Sequence, residues 1–149
     1  MNKLVHSIQI NVLEKNEENL EKIHQSFSFL LPIDYEKEKI YVTYKKLTGL
    51  QHNIIHSLTL TTNKERHNTV LAESIFSNID KDIKSLLVNQ IESRLDEDGF
   101  FYIRFDKNAL FNRLFQLTDS GDCFHIKIKI AGFPAKRPSF IRSIQTLIK

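Results

Sequence analysis

The chain has no tryptophan, one cysteine, three prolines and four glycines. With Cys123 as the lone thiol, no internal disulfide can form, which suits a reducing interior and makes the cytoplasm the expected compartment. No segment approaches the ~20 consecutive apolar residues that a membrane-spanning helix needs. The opening Met1-Asn2-Lys3-Leu4-Val5-His6 has neither an apolar core nor a small-residue cleavage site, so no secretory leader is expected. A glycine-rich phosphate loop, a zinc-spaced Cys/His set and a nucleophilic-serine motif are also missing. Neither a cofactor nor a metal is therefore expected. His52 and His56 stand four apart, but in a turn and a strand, where that spacing does not bring two imidazoles to one ion. The most informative absence is local. From Cys123 to Lys149 there is no Asp or Glu, while Lys127, Lys129, Lys136, Arg137, Arg142 and Lys149 give a local charge of +6 in a chain whose net charge is +3.

What is present reads as one globular domain, residues 1–149. The length suffices to bury a core, and the hydrophobic and charged fractions of 41% and 26% are ordinary. Val5 to Leu13 alternates, with Ile8, Ile10 and Val12 inward and Ser7, Gln9 and Asn11 outward, the period of a half-exposed strand. Asn16 can cap a following helix in which Leu20, Ile23, Phe27 and Leu30 or Leu31 keep helical spacing until Pro32. Lys39 to Lys46 and Ile54 to Thr62 read as a hairpin closed by a turn at Gly49 to Asn53. Ile40 and Val42 are expected to face inward. Two helices follow, the first capped by Asn63 and the second by Asp80, the second running its apolar stripe from Ile83 to Leu95. Asp96-Glu97-Asp98-Gly99 turns the chain into a strand over Phe100 to Asp106. A short helix within Asn108 to Phe115, a turn at Ser120-Gly121-Asp122, a strand ending at Ile130 and a last amphipathic helix complete the order β-α-β-β-α-α-β-β-α. That order and patterning predict an α+β fold, with a mostly antiparallel sheet carrying amphipathic helices on one face.

The other face should be open. Parity places Tyr102 and Arg104 of one strand there with His125, Lys127 and Lys129 of another, among Ser7, Gln9, Asn11, Tyr41, Thr43, Lys45, Ser57 and Thr59. Basic groups neutralise phosphates, and exposed Tyr or His rings can stack on unpaired bases, so RNA or another polyanion is the expected partner. Ordinary solvated sheet residues and a face covered by a second subunit are the competing readings. Arg104 and Asp106 share a strand face and read as a surface ion pair rather than an active site. Cys123 reads as inert packing.

Several stretches together resemble a family. They are Ile103-Arg104-Phe105-Asp106-Lys107, Gly121-Asp122, Lys127-Ile128-Lys129-Ile130-Ala131 and Pro134-Ala135-Lys136-Arg137, supported by the opening strand with Leu13-Glu14 and by Arg94-Leu95-Asp96-Glu97-Asp98-Gly99. The pattern, in order over nearly the whole chain, is similar to the small archaeal RNA-binding proteins described as predicted exosome subunits. The resemblance implies a fold like that of the 5S-RNA-binding ribosomal protein of the large subunit, with RNA and exosome or other RNA-processing proteins as partners. Two of the family's glycines have no counterpart: His52 precedes Asn53 where a second turn glycine is usual, and none stands near Asn112-Arg113. The reading is thus a non-enzymatic RNA-binding protein. Arg104, Lys107, Lys127, Lys129, Lys136 and Arg137 would meet phosphates, Tyr102 and His125 would meet bases, and Lys136-Arg137 would join the amides of the last helix in an anion site. The alternatives are a structural subunit that uses the open face for protein contacts and, further off, a phosphate-chemistry enzyme built on Asp106, Arg104 and Lys107.

Overall fold

A computed structural model describes residues 3–149; Met1 and Asn2, the start of the segment read as lacking a leader, lie outside the described residues. Five strands, β1 (Val5–Glu14), β2 (Thr43–Thr48), β3 (Ile54–Thr62), β4 (Phe100–Asp106) and β5 (Cys123–Ile130), form an antiparallel sheet in the order β2-β3-β1-β5-β4. The helices are α1 (Leu20–Leu30), α2 (Tyr35–Glu38), α3 (Glu65–Phe76), α4 (Lys81–Asn89), α5 (Ile91–Arg94), α6 (Lys107–Phe111) and α7 (Arg137–Ile148). The fold is α+β, as the alternating strands and amphipathic helices predict. None of the described helices is long and apolar enough to cross a membrane.

The chain divides into two compact units. The first comprises the chain up to Ile8, Thr62–Ile103 and Lys127–Lys149. Its helix α7 packs on α3 and α4, and Leu71, Ile75, Leu87, Phe101, Ile103, Ile128 and Ile144 are buried in its core. Asp80 caps α4 by accepting from the Ile83 N–H at 2.8 Å, as its position before the apolar stripe predicts. The stripe does not stay in one helix, however. The chain turns at Gln90 between α4 and α5; Leu86 is exposed, while Leu87 and Ile91 are buried. Asn63 caps nothing; the cap of α3 is Lys64, without a side-chain hydrogen bond. Thr62 instead donates to Asn68 on α3 at 2.6 Å, and the Asn68 amide donates to the His6 carbonyl at 3.0 Å, so these two buried polar side chains satisfy one another and the backbone of β1.

The second unit comprises Gln9–Thr61 and Arg104–Ile126. The Asn16 side chain accepts from the Glu18 N–H at 3.0 Å and starts a 3-10 turn that leads into α1. Helix α1 packs on α6. Phe124 makes T-shaped contacts with two rings, Phe27 at 6.1 Å and Phe111 at 5.9 Å between centroids, an arrangement favoured by the ring quadrupoles. One predicted strand is corrected. Asp34 accepts from the Lys37 N–H at 3.1 Å, which folds Tyr35–Glu38 into a helical turn ending on left-handed Lys39 (φ 57°). The strand therefore begins at Thr43 rather than Lys39, and Ile40 and Val42 precede it, half-buried. Lys39 to Val42 is taken from the strand by a local side-chain cap, which competes effectively with an edge strand's few ladder bonds.

Gly99 closes the turn into β4 with φ 90°, and a Cβ built there would lie 2.9 Å from the Phe140 ring. Both backbone and space demand glycine. Gly99→Ala is expected to cost about 2 kcal/mol or more, read as a lower urea midpoint, with partial recovery when Phe140→Leu is added.

Candidate nucleic-acid interface

In the first unit, the strand period that buries Ile128 and Ile130 turns Lys127 and Lys129 to the opposite side of the sheet. Their ammonium groups lie 4.3 Å and 5.5 Å from the centroid of the Phe100 ring on β4. A ring face attracts cations electrostatically, so Phe100 gathers two like charges that repulsion would otherwise spread apart. Sequence reading missed Phe100, although it stands two residues before Tyr102 and so shares its face.

Tyr102 is half-buried, and its hydroxyl donates to Asp96 Oδ2 at 2.9 Å. Burial, the bond to Asp96 and the charges of Asp96 and Asp98 all push its phenol up. Burial opposes ionisation of Asp96, but the Phe100 N–H, the Tyr102 hydroxyl, the Asp98 N–H and the charge of Lys127 outweigh it and hold the carboxyl below its usual range. The tyrosine ring is thus oriented by the acidic turn that precedes its strand. On the β1 side, burial together with Lys3 and Lys129 holds the exposed His6 imidazole down, a sign of accumulated positive charge.

Arg137 is engaged within the fold. Its guanidinium donates to the Glu92 carbonyl at 2.8 Å, the Glu92 carboxylate at 3.3 Å and the Leu95 carbonyl at 3.2 Å, fastening the start of α7 to α5. Lys136 is exposed at the cap of α7. Of the expected Lys136-Arg137 anion site, Lys136 is thus the residue without a bond to α5.

In the second unit, Arg104 is exposed and donates to the Asp119 carbonyl at 3.3 Å, while His125 is half-buried on β5. Asp106 does not pair with Arg104; its carboxylate caps α6 by accepting from the Ala109 N–H at 2.9 Å. Lys107 is buried at 4% exposure. Its ammonium sits 3.0 Å from Glu14, 2.5 Å from Asp122 and 2.6 Å from the Leu13 carbonyl. No donor is left for a phosphate, so Lys107 is a structural cation that ties the end of β1 to the start of α6. The trio proposed for phosphate chemistry is thereby dispersed into a helix cap, a loop contact and a buried ion pair. Cys123 is buried and its thiol is pushed up by that burial, against the pull of Arg104 and Lys107, which fits the inert role read from sequence.

Fold and surface together define a class: an α+β protein that keeps helices on one side of an antiparallel sheet and presents paired cations on the other. A family model described as RNA binding matches residues 7–130, and the chain belongs to that family. The RNA-binding protein PAB1135 of Pyrococcus abyssi is 24% identical over 140 residues, which is 94% of this chain and 91% of that one. Among solved structures, protein AF2318 from Archaeglobus fulgidus aligns with a TM-score of 0.81 at 20% identity, over 96% of this chain and 99% of its own. Mth689, a DUF54 protein from Methanothermobacter thermautotrophicus, aligns with a TM-score of 0.78 at 21% identity, over 99% and 100%. Lys136 and Arg137 lie beyond the matched segment; Tyr102, Arg104, Lys107, His125, Lys127 and Lys129 lie within it.

The buried Lys107–Glu14 pair makes a prediction about folding. Burial opposes ionisation of Glu14, but the Asn16 N–H and the Lys107 ammonium hold its carboxyl below the usual range. A depressed folded value contributes stability at neutral pH that is lost as pH falls below about 4. Lys107→Met leaves that carboxylate buried without its cation and is expected to cost about 3–5 kcal/mol in urea unfolding at pH 7. Adding Glu14→Gln should recover part of the loss; a single-variant cost below about 1 kcal/mol would mean the pair behaves as a surface one.

Proposed function

We propose that this protein binds RNA without chemistry, through the solvent-open side of its sheet, with Lys127 and Lys129 as the main phosphate contacts. The observation that carries the reading is the pair of ammonium groups gathered over Phe100 inside the segment matched by the RNA-binding family. In the first unit Tyr102, oriented by Asp96, is proposed to meet bases and Lys136 to add exposed charge; in the second, His125 and Arg104 are proposed for the same two roles. Lys107 and Arg137 are left out because their donors are engaged within the fold. No catalytic step belongs to this reading.

The finer parts rest on the sequence resemblance alone. They are a fold like that of the 5S-RNA-binding ribosomal protein and an accessory role beside the exosome or other RNA-processing proteins; action as one domain over 1–149 is proposed from length and composition. A cytoplasmic setting is proposed from the single buried thiol.

Binding of this kind is dominated by counterion release and falls steeply with salt. Lys127→Ala with Lys129→Ala should weaken binding to single-stranded RNA and reduce the slope of log K against log salt by about 1.4. Circular dichroism should show an unchanged fold. A folded double variant with the wild-type isotherm and slope would refute this face as the site.

A further inference from the structure

The β2–β3 hairpin, which belongs to the second unit, carries another charge asymmetry. From Lys39 to Lys64 the chain contains no Asp or Glu, yet it includes Lys39, Lys45, Lys46 and Lys64. Every residue of β2 is exposed, and as the outermost strand it pairs with β3 alone. The register sets Lys45 opposite Ser57 and Lys46 opposite His56, so the two ammonium groups leave from opposite faces of the ribbon. Among the described residues, no ion pair engages either lysine. Aromatic rings accompany them. Tyr41 is 74% exposed just ahead of β2, and Tyr44 is 49% exposed. The Tyr44 ring stacks on the buried His56 at 5.7 Å between centroids, and its hydroxyl is 2.6 Å from His56 Nδ1, so the ring is held in place while much of it faces water.

Edge protection accounts for only half of this. Lysines on an outer strand discourage pairing with another chain. Exposed Tyr41, Tyr44 and Leu47 on the same segment work in the opposite direction. Core packing does not explain Tyr41 or Leu47, which are exposed, and Tyr44 keeps about half of its surface in water even while it stacks on His56. Cations beside accessible tyrosine rings on a ribbon free of acidic groups match the two parts of a nucleotide, phosphate and base. The hairpin also lies inside the segment matched by the RNA-binding family.

We infer that the β2–β3 hairpin is a second RNA-contacting element, and that it takes unpaired nucleotides. Tyr41 and Tyr44 stack on bases, and Lys45 and Lys46 neutralise phosphates. Stacking requires splayed bases, and the deep, narrow major groove of an A-form duplex does not admit side chains to its base edges. The ligand of this element is thus a single strand or loop. The inference rests on the RNA-binding reading but on residues separate from Lys127 and Lys129.

Fluorescence anisotropy tests it, using a labelled single strand of about 12 nucleotides and its duplex form. Wild-type protein is compared with Tyr41→Ala, Lys45→Ala/Lys46→Ala and Lys127→Ala/Lys129→Ala. Tyr41→Ala should weaken single-strand binding at least about fivefold and leave duplex binding nearly unchanged. The Lys45/Lys46 variant should lower the salt slope by about 1.4, with unchanged unfolding midpoints for both hairpin variants. Hairpin variants that bind like wild type, while the Lys127/Lys129 variant is weakened, would overturn the hairpin element and leave the sheet-face reading standing. A concentration-dependent mass that the hairpin variants abolish, with RNA affinity intact, would overturn it in favour of pairing between copies. Absence of any RNA binding by wild-type protein at low salt would remove both readings.

Discussion

Burial of one side of β5 is the constraint on which the rest depends. Phe124, Ile126, Ile128 and Ile130 are all essentially out of water, and burying side chains of this size contributes about 1.5–3 kcal/mol each. With that side committed to the helices, the pleat gives His125, Lys127 and Lys129 no other direction. The basic surface is therefore a by-product of the same alternation that builds the core. Sliding β5 by one residue would bury two lysines, at a cost far beyond any gain in local pairing.

The conversion of charge into usable surface is selective. Of the basic residues on or beside β4 and β5, Lys107 and Arg137 are drawn into the protein by carboxylates and carbonyls. Lys127 and Lys129 are held by an aromatic ring instead. The difference matters for an incoming phosphate. A carboxylate competes with it for the same donors, whereas a ring face fixes the cation without providing an acceptor oxygen.

Much of the fold was legible because its signals are short-range. The Asp80 cap, the Gly99 turn and the alternation of β1, β4 and β5 each need only a few neighbouring residues. The misread features depend on partners far along the chain or on position in the sheet. Lys107 looks like a surface cation until Glu14, 93 residues away, is brought beside it. Arg137 looks free until α5 presents Glu92 and Leu95. The alternation of Ile40 and Val42 predicts a buried strand face, but Asp34 caps a helical turn there and the outermost strand has no layer to pack on. The two missing glycines teach a related lesson. Gln51 and His52 hold φ of 61° and 60°, and Arg113 holds 62°, so the left-handed turns persist where glycine would be the easier residue. Loss of a turn residue from the sequence does not mean loss of the turn.

Strand β2 has one more consequence. Apart from Tyr44, which stacks on the buried His56, its side chains stay largely in water, so folding gains little from their identity. Selection on foldability, which constrains the neighbouring β3 at Leu58 and Leu60, has little purchase on it. Substitutions at its exposed positions therefore change what the ribbon presents to solvent more than how well the chain folds.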